Sequence, residues 1–246
     1  MSSSNTQIRI AMWSGPRNIS TALMRSFENR EDCFVSDEPF YAFYLKHTGL
    51  NHPLRDKVVA EGELNWDRTA KYLTGEIPQG KKIWYQKHMA QHNLVEVNLE
   101  WTKRVTNCFL IRNPSKVIIS YAKKYSISSM DQLGYLQQKA LFDALLLQTG
   151  KTPIVLDSAD ILKNPRNTLK SYCKEIGIHF SDKMLTWPPG KRKTDGAWGK
   201  YWYGKVEKST GFQPYVESSD KVPKEYFTIY QNCMEVYQQL YQYRIH

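Results

Sequence analysis

Five short hydrophobic segments alternate with helical patterns along most of the chain. Short apolar runs of this length are typical of buried strands, and the segments between them carry apolar residues at helical spacing. The alternation predicts an α/β fold in three layers, a mostly parallel sheet with helices on both faces. The expected strands are Ile8–Trp13, Cys33–Ser36, Lys82–Tyr85, Asn107–Ile111 and Pro153–Leu156, and the expected helices are Ser20–Asn29, Trp66–Leu73, Leu94–Glu100, Ser115–Lys124, Met130–Thr149 and Pro165–Glu175.

The turn between the first strand and the first helix has the composition of an anion site. Gly15 lets the backbone approach a ligand, Pro16 stiffens the turn, and Arg17 supplies a permanent cation. Ser20 and Thr21 place hydroxyl groups beside the unpaired amides of the first helical turn. The positive end of the helix dipole points to the same place. We therefore expect an oxyanion at this helix N-terminus.

The spacing differs from that of a nucleoside-triphosphatase loop, which reads G-x-x-x-x-G-K-[ST]. Counted from Gly15, the second glycine, the lysine and the hydroxyl residue of that motif would fall on Ser20, Thr21 and Ala22. The lysine for the phosphates and the hydroxyl group for Mg²⁺ are both missing from their places. The turn thus predicts an anionic ligand that needs no metal. An ordinary strand–turn–helix with Arg17 on the surface is the alternative.

The overall composition limits the class of protein and its partners. The chain has 246 residues, of which 41% are hydrophobic and 24% charged, so it can bury a substantial core. Its formal net charge of +10 favours the capture of anionic ligands. The basic residues are scattered, and no nucleic-acid module signature occurs, so a small polyanionic cofactor explains the charge as well as nucleic acid does. We expect no nucleic-acid partner.

The cysteines and the N-terminus indicate a cytoplasmic protein. Cys33, Cys108, Cys173 and Cys233 lie far apart and lack metal-ligand spacing, so they are expected to be reduced, buried thiols without a bound metal. The first seven residues lack the pattern of a secretory signal, and no run of about 18 apolar residues occurs. We therefore expect no membrane partner.

A second segment, CFLIRNPSKVIISY from Cys108 to Tyr121, repeats the strand-to-helix pattern. Arg112 follows the expected end of a buried strand, and Ser120 lies one or two turns into the helix that begins after it. An arginine and a serine in this arrangement can hold a phosphate group from two sides. Taken alone, Arg112 could equally cap a helix or pair with a carboxylate.

Together the two segments resemble the cofactor-binding elements of the sulfotransferases that use 3′-phosphoadenosine 5′-phosphosulfate (PAPS). The run SGPRNIST, which begins at Ser14, is similar to the element that holds the 5′-phosphosulfate, with Ile19 where a glycine is common. The run from Ile111 to Tyr121 is similar to the I-R-[DN]-P-x-x-x-x-x-S element that holds the 3′-phosphate. The resemblance implies donor contacts from Gly15, Pro16, Arg17, Asn18, Ser20, Thr21, Arg112 and Ser120.

Two later segments extend the resemblance to about residues 8–205. The stretch 155–178 is similar to the family's Y-E-D-L…P…F-L-G stretch, with Asp157 and Ser158 in place of Tyr and Glu. The run RKTDGAW is similar to the R-K-G-x-x-G-D-W loop that covers the nucleotide, and it implies donor contacts from Arg192, Lys193 and Trp198. We expect residues 186–216 to form a covering loop, residues 223–243 a C-terminal helix, and residues 1–246 a single P-loop-like sulfotransferase domain.

The resemblance implies the transfer of a sulfuryl group from PAPS to a hydroxyl or amine of a small molecule. PAP (3′,5′-ADP) is then the product, and no metal is needed. The reaction needs a base for the acceptor proton and cations for the transferred group and the departing phosphate, a role that suits Arg17. His88 is the leading candidate for the base, because Lys87-His88-Met89 is similar to the family's K-x-H-L stretch. Glu38 is the rival, on a segment similar to one that supplies a glutamate base in some bacterial sulfotransferases. His92 is a third candidate.

The acceptor pocket is expected beside the same carboxylates. If His88 is the base, Asp37 and Glu38 become free to bind a cationic acceptor; Phe40, Tyr41 and His92 are further expected contacts. The identity of the acceptor and the oligomeric state remain open. Two other functions compete with this interpretation: a P-loop-like nucleotide kinase or hydrolase, and a non-catalytic nucleotide- or RNA-binding protein.

Overall fold

The computed structural model describes residues 7–94, 96–217 and 221–245. A five-stranded parallel sheet with the strand order β2-β3-β1-β4-β5 lies at its centre. Helices cover both faces, which confirms the expected three-layer α/β fold. The strands are β1 (Ile8–Ser14), β2 (Cys33–Asp37), β3 (Ile83–Met89), β4 (Thr106–Ile111) and β5 (Ile154–Asp157).

The helices account for the rest of the layers and differ from the sequence prediction in a few places. The additional helices α2, α3, α7 and α9 are all eight residues or shorter, so their periodicity is too brief to recognise. The helices are α1 (Ser20–Glu28), α2 (Tyr41–Thr48), α3 (Arg55–Glu61), α4 (Trp66–Leu73), α5 (Pro114–Ala122), α6 (Tyr135–Thr149), α7 (Ser158–Lys163), α8 (Pro165–Glu175), α9 (Gly199–Trp202) and α10 (Phe227–Tyr241).

Alternating side chains of the central strand build two separate cores. Ala11 and Trp13 of β1 pack in the cluster beneath α5, α6 and α10, whereas Ile10 and Met12 pack in the cluster beneath α1 and α8. All four side chains are fully buried. A parallel sheet that is covered on both faces needs such apolar strands, and this explains why the strands could be recognised from composition.

Two expected helices differ from the structure. The helix expected over Leu94–Glu100 is wrong: residues 94 and 96–99 are not helical, and a 3₁₀ helix begins only at Glu100. The side chain of Asn98 accepts the N–H of Glu100 at 2.8 Å, a local hydrogen bond that competes with helix formation. The helix expected over 130–149 is divided at Gly134, whose φ of 74° ends a short 3₁₀ helix before α6 begins.

Residues 186–216, called the covering segment below, are more ordered than a simple polar loop. An antiparallel bridge joins Thr186 to Gly211, and α9 lies between them. Trp187, Trp198 and Tyr203 are buried in it. The tryptophan and tyrosine side chains supply the apolar contacts that fix a glycine-rich stretch on the protein surface.

The strand order places several functional turns at one edge of the sheet. β1 is paired with β3 on one side and with β4 on the other, and Ser14 at its end pairs with both Met89 and Leu110. The turns that follow these three strands therefore meet. Such a position, at the carboxyl ends of parallel strands, is where open α/β sheets bind ligands.

Two further observations concern the sequence expectations. The four cysteines are free and buried, as predicted. Across the described ranges, the helices fall short of the length and apolar character that a membrane span requires.

Candidate active site

A cavity of about 360 Å³ opens at the carboxyl edge of the sheet. One wall is the turn from Pro16 to Ala22, and the opposite wall belongs to the covering segment. Its size is within the range of small-molecule sites. Between the two walls lie Glu38, Tyr41, His52, Lys87, Met89, Gln91, His92, Arg112, Ser120 and Tyr121.

The turn after β1 leaves backbone donors unused at the start of α1. Ile19 precedes the helix and offers no side-chain cap, and the first helical hydrogen bond runs from Leu23 N–H to Ile19 O at 3.1 Å. The amides of the residues between them are therefore the orphan donors of a helix N-terminus. Arg17 and Ile19 have φ values of 63° and 60°, and left-handed backbone at such residues is costly. This turn stores strain where an anion would bind.

Gly15 serves a purpose that differs from the one expected. A Cβ atom at Gly15 would lie 2.6 Å from the carbonyl oxygen of Leu133. The close approach that this glycine permits is therefore to another part of the chain, and Gly15 lies outside the cavity wall whereas Pro16 lines it.

Asn18 ties the turn to the end of β4. Its Nδ2 donates to the carbonyl of Leu110 at 2.9 Å, and the residue is 1% exposed. Its Oδ1 is buried without a hydrogen-bond partner, and the residue lines the cavity. An unsatisfied buried acceptor is costly, and a ligand that donates a hydrogen bond would relieve that cost.

Arg17, Arg112 and Ser120 come together as the sequence predicts. Arg17 Nε donates to Ser120 Oγ at 3.0 Å, and Arg112 Nη1 donates to the carbonyl of Arg17 at 2.6 Å. The hydroxyl of Tyr135 in turn donates to the carbonyl of Arg112 at 2.7 Å. The three residues come from different elements, and this network fixes their relative positions.

The two arginines are desolvated cations without an acidic partner. Burial lowers the pKa of both guanidinium groups, but arginine stays charged in proteins. Within the described ranges, Arg17 and Arg112 form no ion pair with a carboxylate. Partly buried charges of one sign are stabilised by a counter-charge. This pair therefore fits a ligand with more than one anionic group.

Lys87 forms the centre of a buried polar cluster beside the arginines. Its Nζ donates to Asp37 Oδ1 at 2.8 Å, to Glu38 Oε1 at 2.5 Å and to the hydroxyl of Tyr203 at 2.9 Å. Burial alone would lower the pKa of Lys87, but the charges of Asp37 and Glu38 raise it well above its usual value. Two carboxylates and one ammonium leave this cluster with one net negative charge.

Glu38 is the carboxylate of this cluster that reaches the cavity. It follows β2 with a φ of 46°, and its N–H donates to the carbonyl of Lys87 at 2.8 Å. Its side chain is 11% exposed, and Oε2 lies 4.0 Å from His92 Nε2. Burial raises the pKa of Glu38, although the charge of Lys87 partly offsets this rise. A raised pKa makes a carboxylate a stronger base toward the proton of an acceptor.

Two expected acceptor contacts point away from the cavity. The Asp37 side chain is 1% exposed, and besides Lys87 it accepts hydrogen bonds from the hydroxyl of Tyr203 and the N–H of Gly196. Phe40 stacks on Trp66 with 3.8 Å between the ring centroids. Asp37 therefore holds the covering segment on the sheet, and Phe40 belongs to the core.

His88, the leading candidate for the base on sequence grounds, also lies outside the cavity lining. Its ring is 1% exposed and stacks on Trp13 with 4.4 Å between the centroids. Burial lowers its pKa to about 3, so the ring is neutral and a weak base. Successive residues of a strand face opposite sides of the sheet. Lys87 faces α1 and the cavity, and His88 consequently faces the other core.

Tyr41 and His92 line the cavity as expected. The His92 ring lies between Tyr41 and Tyr44, with centroid distances of 5.0 Å and 4.6 Å. Burial lowers the pKa of His92 well below its usual value, so the ring is neutral. The hydroxyl of Tyr41 is hydrogen-bonded to His52 Nδ1 at 2.9 Å. His52 belongs to no motif, and the sequence offered no signal for it.

Of the three residues of the covering segment that the resemblance implied, one lines the cavity and two do not. Trp198 lines the cavity, and its Nε1 donates to the hydroxyl of Tyr203 at 3.2 Å. Arg192 lies 3.6 Å from Glu28, and Lys193 is exposed, so neither lines the cavity. The residues of this segment that sequence analysis missed are Trp202, Tyr203, Lys205, Val206 and Ser209.

Comparison with solved structures identifies the fold. Three solved structures share the fold: the sulfotransferase domain of the Synechococcus PCC 7002 olefin synthase (14% identity, TM-score 0.52), the sulfotransferase domain from the curacin biosynthetic pathway (12%, 0.53) and a sulfotransferase from Alicyclobacillus acidocaldarius (10%, 0.56). They cover 94%, 93% and 98% of this chain, and 96%, 98% and 98% of their own chains. The fold is thus the P-loop-like α/β fold of sulfotransferases.

The sequence places the chain in a particular family of that class. The family model described as "Sulfotransferase domain" matches residues 8–241, and the chain belongs to this family. Two relatives from Arabidopsis thaliana, branched-chain-amino-acid aminotransferase-like proteins 2 and 1, are 32% and 34% identical over 93% of the chain. The chain spans 40% of the length of each of these relatives.

The described side chains do not form an evident metal site. Among the residues that the structure describes, no group of three or more His, Cys, Asp or Glu side chains is placed to hold a metal ion.

Proposed function

We propose that this protein transfers a sulfuryl group from PAPS to a hydroxyl or amine of a small-molecule acceptor. The observation that carries the proposal is the pair Arg17 and Arg112, two desolvated guanidinium groups that lack carboxylate partners among the described residues. They flank an uncapped helix N-terminus, which is itself an anion site. Membership of the sulfotransferase family supports the same donor.

The residues of the cavity fit the two anionic ends of the donor. When bound, PAPS supplies the sulfuryl group and a phosphate leaving group. Arg17 and the amides of Ser20 and Thr21 would hold the phosphosulfate end, and Arg112 and Ser120 would hold the 3′-phosphate. Guanidinium groups suit both ends because they present several donors in a fixed fork. Arg17 stabilises charge there without exchanging a proton.

Glu38 is the base in this proposal. Lys87 occupies its Oε1, so Oε2 is the oxygen available to an acceptor. That oxygen faces the neutral ring of His92, and Tyr41 lies beside it. An acceptor hydroxyl or amine placed there would give its proton to Oε2 while its nucleophilic atom points toward Arg17. Because Glu38 takes the proton, the binding of a cationic acceptor by Asp37 and Glu38 is not part of this proposal.

The exclusion of His88 from catalysis gives a direct test of the base assignment. His88→Phe keeps the stack on Trp13 and adds no charge, so we expect transfer to stay within about threefold of the wild-type rate. The thermal midpoint should be measured alongside, since the side chain belongs to the core. A loss of transfer by about 10²-fold or more in a folded His88→Phe protein would restore His88 as the base.

Thermal unfolding in the presence of three ligands separates the proposal from its competitors. We expect 3′,5′-ADP to raise the melting temperature, because a ligand at about 100 times its Kd stabilises by roughly 2.7 kcal/mol. ATP with Mg²⁺ and a short oligonucleotide should have smaller effects. A shift with ATP and Mg²⁺ alone would favour a kinase or hydrolase, and a shift with the oligonucleotide alone would favour a nucleic-acid-binding protein.

We also infer that residues 8–241 act as one catalytic domain in the cytoplasm. The turn of residues 16–22 (the anion turn) and Glu38 lie near the start of the chain and the covering segment near its end, yet all three line one cavity, which supports a single functional unit. The four free thiols suit a reducing compartment. Limited proteolysis of the protein with and without 3′,5′-ADP tests the single unit: the protected fragment should retain both residue 8 and residue 241.

A further inference from the structure

The covering segment presents a cation to the cavity at an unexpected position. Lys205 lies in the turn after α9 and lines the cavity opposite the anion turn. The resemblance assigned this role to Arg192 and Lys193. The guanidinium of Arg192 instead lies beside Glu28 and donates to the carbonyl of Pro188, and Lys193 is exposed away from the cavity. Lys205 is therefore the basic residue of this segment that lines the cavity.

The backbone that carries Lys205 is fixed on both sides. Before it, the hydroxyl of Tyr203 is bound by Asp37 and Lys87, and the carbonyl of Tyr203 accepts the N–H of Glu207 at 2.8 Å. After it, Ser209 Oγ donates to the carbonyl of Val206 at 2.7 Å. The turn therefore keeps its place over the cavity without help from a ligand.

The ammonium group of Lys205 is free to bind. In the described part of the chain it forms no ion pair with a carboxylate. Glu207 is close in sequence but does not line the cavity. The charged groups that line the cavity with Lys205 are Arg17, Arg112, Lys87 and the Glu38 carboxylate, whose oxygen Oε1 is already bound to Lys87. Arg17, Arg112 and Lys205, which form no ion pair in the described ranges, thus line one cavity from separate segments of the chain.

We propose that Lys205 is the cation by which the covering segment binds a phosphate group of the nucleotide donor. This inference rests on the proposed function, because it takes an anionic nucleotide to be the ligand of the cavity. Arg17 and Arg112 would bind the nucleotide from the carboxyl edge of the sheet, and Lys205 would add a cation from the covering segment. The ammonium group lies at the end of a long, flexible side chain, so its position can adjust to the phosphate of a bound ligand.

Titration calorimetry with 3′,5′-ADP tests the assignment. Lys205→Gln should weaken binding by about three- to tenfold at low ionic strength, and the difference should shrink as salt screens the contact. Lys205→Arg should restore most of the affinity. Lys208→Gln is the matched control, since Lys208 is an exposed lysine of the same turn that does not line the cavity. It should bind like the wild type, as should Lys193→Gln.

The outcomes separate the inference from the function on which it rests. Wild-type affinity in Lys205→Gln would overturn the inference, and so would an equal loss in Lys208→Gln, because the effect would then be one of general surface charge. A loss confined to Lys193→Gln would return the role to the residue that the resemblance implied. If the wild type itself fails to bind 3′,5′-ADP, the proposed function and this inference both fall.

Discussion

Glu38→Gln is expected to lower the rate of sulfuryl transfer by about 10²- to 10⁴-fold, the usual contribution of a positioned base. The amide keeps the size of the carboxylate and can still accept a hydrogen bond from Lys87, but it cannot take the acceptor proton. The affinity for 3′,5′-ADP should change little, because the arginines and the helix N-terminus are untouched. Initial rates with any acceptor that the wild type uses, together with calorimetry, provide the two measurements.

The pH dependence adds an independent check on Glu38. Only the ionised carboxylate can accept a proton, so wild-type activity should fall as the pH is lowered through the pKa of Glu38. Burial raises that pKa, and the acidic limb should therefore lie above the ordinary carboxyl range. Glu38→Gln should lack this limb, and Glu61→Gln, which changes an exposed glutamate of α3, should behave like the wild type. Equal loss in both variants would contradict the base assignment.

Lys87→Met should lower the free energy of unfolding by about 3–5 kcal/mol, because it leaves the Asp37 and Glu38 carboxylates buried without their cation. Urea denaturation measures the change. Lys57→Met is the matched control: Lys57 is half exposed and lies 3.7 Å from Glu61, so its removal should cost about 0–1 kcal/mol.

The sign of the pH effect distinguishes an uncompensated charge from lost packing. Burial raises the pKa of Glu38 and the charge of Lys87 partly offsets that rise, so without Lys87 the pKa lies further above the unfolded value and the native state binds this proton more tightly than the unfolded chain. Acidification from about pH 8 to about pH 5 should then recover part of the lost stability relative to the wild type. A deficit that stays constant over this range would mean that the loss is one of packing alone.

The strands and the anion turn could be predicted because their signals are local. Buried parallel strands are continuous apolar runs, and the turn from Gly15 to Thr21 carries its chemistry within a few residues. The structure places His88 outside the cavity lining, and strand alternation could have predicted this placement. Trp84 and His88 share one parity of β3, and Tyr85 and Lys87 share the other. The cavity lies on the side of the sheet that faces α1, so Lys87 lines the cavity and His88 does not.

The covering segment shows what local sequence could not reveal. Arg192 lies beside Glu28, and the hydroxyl of Tyr203 donates to Asp37, two partners that are each more than 150 residues away in the chain. Trp198 is in turn held by its hydrogen bond to Tyr203. The R-K pair without its following glycine looked like the family's loop, yet tertiary contacts decided which residues reach the cavity. His52 is a similar case, because it reaches the site only through the packing of α2 and α3.

The central claim is that this cavity catalyses sulfuryl transfer from PAPS to a small molecule. The most direct measurement is mass spectrometry of a library of hydroxyl and amine acceptors after incubation with PAPS and the purified protein. We expect at least one acceptor to gain the mass of one sulfuryl group while PAP accumulates in equal amount. Glu38→Gln should largely abolish both the sulfated product and the accumulation of PAP. Binding of 3′,5′-ADP with no sulfated product from the wild type across such a library, or an equal yield from Glu38→Gln, would contradict the central claim.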